Sequence, residues 1–91
     1  MKLDELRNTI DSINEEIIAL FSKRLAVTKQ IAKVKKENQL PVHDPIREEK
    51  QRTHLREMAI KHGLSPAVVE EIFKLFVDYS KLDMKMEMDD A

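Results

Sequence analysis

Residues 3–37 read LDELRNTIDSINEEIIALFSKRLAVTKQIAKVKKE. The stretch holds no glycine and no proline. Leu3, Leu6, Ile10, Ile13, Ile17, Leu20, Arg24, Val27, Ile31 and Val34 follow one another at alternating steps of three and four. That is a heptad seam with a single polar interruption, Arg24. The spacing predicts one continuous helix from about residue 3 to 37. Asp4 and Glu5 in its first turn and Lys35 and Lys36 in its last suit the helix dipole.

Working outward, Gln39-Leu40-Pro41-Val42-His43 reads as a loop, because Pro41 pushes its predecessor out of helical geometry. Asp44-Pro45 has the pattern of an N-cap followed by proline at the first helical position. The second helix is expected to run to about Lys61 and stop at Gly63, the sole glycine. Its apolar content is thin: Ile46, Leu55, Met58, Ala59 and Ile60. Ser65-Pro66 repeats the cap-proline signal and opens a third helix. Val69, Ile72, Phe73, Phe76, Val77 and Tyr79 form its expected buried stripe, and Met84 to Ala91 are expected to fray.

Composition narrows the function. The 91 residues make one domain, residues 1–91, with no linker and no internal repeat. Sixteen Lys and Arg against 17 Asp and Glu leave a net charge of −1, which argues against general nucleic-acid binding. Cysteine is absent, so disulfides, cysteine nucleophiles and thiolate metal sites are excluded. His43, His54 and His62 lack metal-ligand spacing. No apolar run approaches the ~20 residues that span a bilayer, and the N-terminus does not read as a signal peptide. The expected class is all-α, with three helices, and the expected location is the cytoplasm.

Length adds a constraint. At ~1.5 Å per residue a 35-residue helix is about 52 Å long. A compact chain of this size has a radius of gyration near ~12 Å and a diameter near ~31 Å. The first helix should therefore overhang its own domain while its seam stays apolar to both ends. A second chain is the simplest cover, in a homodimer with antiparallel or intertwined long helices.

Arg24 stands where the seam demands an aliphatic side chain. Its ordinary explanation is a salt bridge to Glu or Asp; the alternative is an anionic ligand. Between Ile17 and Lys36 there are six cations and no acid. Most of these form a solvated face. Lys35, however, lies 11 residues beyond Arg24, close to three turns, so the two lie along one line about 16 Å apart at ~1.5 Å per residue. Thr28 and Ile31 fall between them, and the two long side chains can grip a small dianion. Arg7 is 17 residues before Arg24, about 25 Å away at ~1.5 Å per residue, so it can share a ligand with Arg24 only across a dimer. Its ordinary explanation is an i,i+4 pair with Asp11. Asp44, Arg47 and Glu48 cluster at the start of the second helix, where Asp44 serves as a cap. Ser80 interrupts the face Phe73-Val77-Ser80-Met84, where its hydroxyl reaches a ligand or its own backbone. No glycine-rich phosphate loop and no nucleophile elbow is present.

Taken together, these residues resemble the all-helical class of chorismate mutases over nearly the whole chain. The likeness rests on Leu6-Arg7, Ile10-Asp11-Ser12-Ile13-Asn14, Leu20-Phe21-Ser22-Lys23-Arg24, Ile31-Ala32-Lys33-Val34-Lys35 and Pro41-Val42-His43-Asp44-Pro45-Ile46-Arg47-Glu48. The resemblance implies an intertwined dimer of three-helix chains. It implies the Claisen rearrangement of chorismate to prephenate, on the route to phenylalanine and tyrosine, with no cofactor and no metal. Arg24, and Arg7 from the partner chain, would bind the substrate carboxylates. Lys35 would bind a carboxylate and the ether oxygen. Glu48 and the backbone near Asp44 would hold the ring hydroxyl, Arg47 would orient that cluster, and Ser80 would line the carboxylate pocket.

Two positions depart from the pattern. Four residues after Ser80 the family usually carries glutamine or glutamate as a second donor to the ether oxygen; here stands Met84, which cannot donate. Lys81, Lys85 or Glu87 would have to substitute. Loss of one such donor costs roughly 10²–10³ in rate in a well-studied hydrolase. His43 stands where an arginine is common. The competing expectations are an isochorismate-pyruvate lyase and a catalytically weak helical dimer that serves as a regulatory or partner-binding module.

Overall fold

A computed structural model of the chain describes residues 2–41 and 43–89, with side chains as far as Asp83. It has three helices: α1 (Lys2–Glu37), α2 (Pro45–Lys61) and α3 (Pro66–Asp89). Met1, Val42, Asp90 and Ala91 lie outside the described residues. The all-α class and the helix boundaries follow the sequence reading closely. The exception is the end of α3, whose backbone stays helical through Asp89 rather than fraying after Met84. After Pro66 this segment holds neither glycine nor proline, so nothing in it breaks the helix.

Both interhelical turns close the same way. Leu40 N–H donates to the Lys35 carbonyl at 2.7 Å and Gln39 N–H to that of Lys36 at 3.2 Å. Leu64 N–H donates to the Ala59 carbonyl at 2.8 Å and Gly63 N–H to that of Ile60 at 3.1 Å. Each pair of bonds satisfies the last carbonyls of a helix and places one residue in the left-handed region. After α2 that residue is Gly63, at φ +71°. After α1 it is Gln39, at φ +56°, a strained choice for a residue with a Cβ and one that no local signal announces. At the start of α2 the Asp44 carboxylate accepts the Arg47 N–H at 3.1 Å, as its cap position predicts.

α3 packs against both α1 and α2 and holds the chain together. Phe21 of α1 lies 4.6 Å from Phe76 and 5.5 Å from Tyr79, centroid to centroid. Phe73 meets Phe76 edge-on at 5.3 Å. Thr28 and Ala32 are buried under α3, and their small size lets the two backbones approach. Across α2 and α3, Glu70 takes Arg52 at 3.1 Å and Arg56 at 3.0 Å. Those two arginines, led by the Arg56 hydrogen bond, hold the Glu70 carboxyl below its usual range.

The face α1 turns to α3 is therefore the line Phe21, Leu25, Thr28 and Ala32, one residue out of step with the heptad seam. The nine apolar seam residues are between 43% and 64% exposed. In α3, Val69, Phe73, Phe76 and Val77 are half-buried, whereas Ile72 and Tyr79, expected in the buried stripe, are exposed. The molecule measures 56 × 27 × 15 Å with a radius of gyration of 16.4 Å. Its length is that of α1, and it lacks the compactness of a self-sufficient globule of its size, near ~12 Å. Among the described residues no large side chain is fully buried.

Candidate active site

The site is assembled at the C-terminal half of α1, where α2 begins and α3 passes. A cleft of about 540 Å³ is lined there by Arg24, Lys35, Asp44, Arg47, Glu48 and Ser80, all six named from the sequence. Thr28 and Ile31, the residues between Arg24 and Lys35 on α1, also line it. Three turns of helix thus deliver Arg24 and Lys35 to one wall, as their spacing requires.

Arg24 has no carboxylate partner among the described residues. Its Nη1 donates instead to the Ser80 hydroxyl at 2.8 Å. That hydroxyl in turn donates to the Phe76 carbonyl at 2.8 Å, and Ser80 is buried. In place of an internal salt bridge, one of the two explanations open from the sequence, stands a neutral hydroxyl, which orients the guanidinium without neutralising it. Burial, and then the nearby Arg47 guanidinium, pull the Arg24 pKa below its usual value. A cation held against both burial and a like charge is a site prepared for an anion.

Glu48 is half-buried on the first turn of α2. Its Oε1 is ion-paired with Lys81 Nζ, and its Oε2 lies 3.4 Å from His43 Nδ1. His43 thus stands next to an anion of the site. Lys81 and Gln51 also line the cleft. Lys81 entered the sequence reading only as a substitute for the donor missing at Met84, and Gln51 did not enter it. Among the described residues, four cations (Arg24, Lys35, Arg47, Lys81) and two carboxylates, Asp44 and Glu48, line this cleft. The surplus of two positive charges is what a dicarboxylate neutralises.

Arg7 is not among the cleft residues. It is exposed on α1 and makes no ion pair with Asp11 among the described residues. One chain cannot bring it to Arg24. The Met84 side chain lies outside the described residues.

No group of three His, Cys, Asp or Glu among the described residues is placed to hold a metal ion. Among the described residues no helix is long and apolar enough to cross a membrane.

Known proteins resemble this chain over much of its length. The chain is 27% identical over 90 residues to a chorismate mutase of Methanocaldococcus jannaschii, covering 99% of this chain and 91% of that one. It is 39% identical over 75 residues to a T-protein of Haemophilus influenzae, across 82% of this chain but only 20% of the T-protein. It is 45% identical over 47 residues to a bifunctional chorismate mutase/prephenate dehydratase of Aquifex aeolicus, across 52% of this chain and 13% of that protein. The chain thus spans nearly all of one relative and a fifth or less of the other two. Residues 6–84 match the profile of chorismate mutase type II, and the chain belongs to that family.

Proposed function

We propose that the protein is a chorismate mutase that rearranges chorismate to prephenate within one substrate molecule, in the biosynthesis of phenylalanine and tyrosine in the cytoplasm. The observation that carries the reading is the convergence of Arg24, Lys35 and Glu48 on one cleft with a surplus of two positive charges. The reaction breaks a carbon–oxygen bond while forming a carbon–carbon bond. It needs no nucleophile and no proton transfer. It needs a compact reactive conformer, and fixed positive charge where the ether oxygen becomes anionic.

The residues divide that work by their chemistry. The Arg24 fork, oriented by Ser80, takes one carboxylate. Lys35, a compact charge on a flexible stem, serves a carboxylate and the ether oxygen. Glu48 accepts the ring hydroxyl, beside the backbone at Asp44, and Arg47 orients that cluster. Met84 places no donor at the ether oxygen, so Lys35 carries that charge.

The second substrate cation is Arg7 of a second copy. The exposed seam of α1 supports a homodimer, since a row of half-exposed Leu, Ile and Val about 50 Å long is stable only when covered. The test is the loss of chorismate absorbance with the purified chain, and with Met84→Gln alongside. Turnover by the native chain is expected, increased in Met84→Gln. Turnover in Met84→Gln alone would point to a binding or regulatory role for the native chain. Silence from both, with isochorismate cleaved, would replace this reading by the lyase.

A further inference from the structure

Glu48 poses an electrostatic problem that the proposed reaction does not solve. It is a half-buried carboxylate in a cleft built to attract two others. Asp44, the other carboxylate in the lining, is committed to the Arg47 N–H at the helix start. An uncompensated Glu48 would repel the substrate that Arg24 and Lys35 draw in.

The structure supplies a counter-charge. Lys81 Nζ pairs with Glu48 Oε1, joining α3 to the first turn of α2. His43 approaches the other oxygen from the loop, at 3.4 Å. Lys81 directly follows Ser80, the residue that orients Arg24. Two consecutive residues of α3 therefore fix one cation and one anion of the same cleft. Lys81 is not needed to hold α2 on α3, because Glu70 already braces those helices with Arg52 and Arg56.

We propose that Lys81 is a positioning and specificity residue. Its ion pair holds the Glu48 carboxylate in place to accept a substrate hydroxyl and cancels its charge toward an incoming dianion. Lys81 thereby selects a ligand with two carboxylates and a hydroxyl. The inference rests on the chorismate reading above.

The test is a double-mutant cycle in steady-state kinetics with chorismate. It compares the native chain, Lys81→Met, Glu48→Gln, the double variant, and Lys81→Arg. Lys81→Met should raise KM roughly tenfold, with a smaller fall in kcat. Lys81→Arg should return KM to within about threefold of the native value, since the charge is kept. In the Glu48→Gln background, Lys81→Met should change KM by less than about twofold, because the Glu48 charge that Lys81 cancels is gone, while Asp44 stays committed to the Arg47 N–H. Equal effects in both backgrounds, or an unchanged KM in Lys81→Met, would overturn the role. Lys81→Gln is the second neutral variant should Lys81→Met fail to fold. No turnover by the native chain overturns the chorismate reading and this inference with it; native turnover with a failed cycle overturns Lys81 alone.

Discussion

Replacing Arg24 with leucine should move stability and activity in opposite directions. The seam around it is aliphatic (Leu20, Val27 and Ile31), and leucine completes that pattern. Arg24 is held against burial and against Arg47, so the folded state carries a cost while the guanidinium is charged, which is the case at every ordinary pH. Replacing a buried ion pair by packed apolar side chains is often neutral or stabilising, by about 1–4 kcal/mol, and an ion with no carboxylate partner has less to lose. Arg24 is only half-buried and partly screened, so the gain should be roughly 1 kcal/mol or less, worth about 4 °C in Tm. Ser80 is not orphaned, because its hydroxyl still donates to the Phe76 carbonyl. Binding loses a fork on a carboxylate in the cleft, roughly 3–5 kcal/mol, or about 10²–10⁴ in kcat/KM at about 1.4 kcal/mol per decade. Thermal unfolding followed by circular dichroism at fixed protein concentration, beside chorismate turnover, checks both signs. A variant several degrees less stable that keeps its activity would refute the reasoning and make Arg24 a structural ion.

Three further outcomes follow from the same geometry. Arg7→Ala and Arg24→Ala chains, each inactive alone, should regain about a quarter of native activity when mixed equally, since about half the dimers are hybrids with one complete site of two; no recovery despite demonstrated subunit exchange would disprove a shared site. Glu70→Gln should lower Tm at pH 7. The folded Glu70 carboxyl titrates below its ordinary value near 4.5, so its stabilisation is present above that value and lost as pH falls through the lowered one; the Tm difference should vanish in strong acid. Gly63→Ala should cost roughly 1 kcal/mol, measured by urea unfolding, through backbone strain alone, because an added Cβ meets nothing within 4 Å.

The sequence carried the fold nearly to the residue where local signals were strong. The breaker-free stretch from Leu3 to Glu37, the Asp44-Pro45 and Ser65-Pro66 starts and the Gly63 stop all mark α-helix ends by known chemistry. Gln39 could not be anticipated, because its left-handed conformation is imposed by the hydrogen bonds that close α1. Arg24 was legible as a cation in an apolar seam, and Lys35 by its distance of three turns. Lys81 was not legible in its role: it is one lysine in a charged helix, and its meaning comes from Glu48, which a different helix brings to it.

Periodicity also could not say which face of α1 meets α3. The line Leu20, Arg24, Val27, Ile31 and Val34 and the line Phe21, Leu25, Thr28 and Ala32 share the same alternating steps. What separates them is side-chain size, since Thr28 and Ala32 admit a close neighbour. At about 100° per residue, Arg24 and Lys35 lie within about 20° of each other, on the border between the two lines. A side chain on that border is reached from α3 on one side and from whatever covers the seam on the other. In the proposed dimer the seam is covered by a second chain, so the cleft would open on a subunit boundary, where an arginine of the partner can complete it. Substituting a charge for Ile13 or Ile17, far from the cleft along α1, should therefore abolish activity together with dimerisation. A monomer that stays active would separate the two and leave Arg7 outside the site.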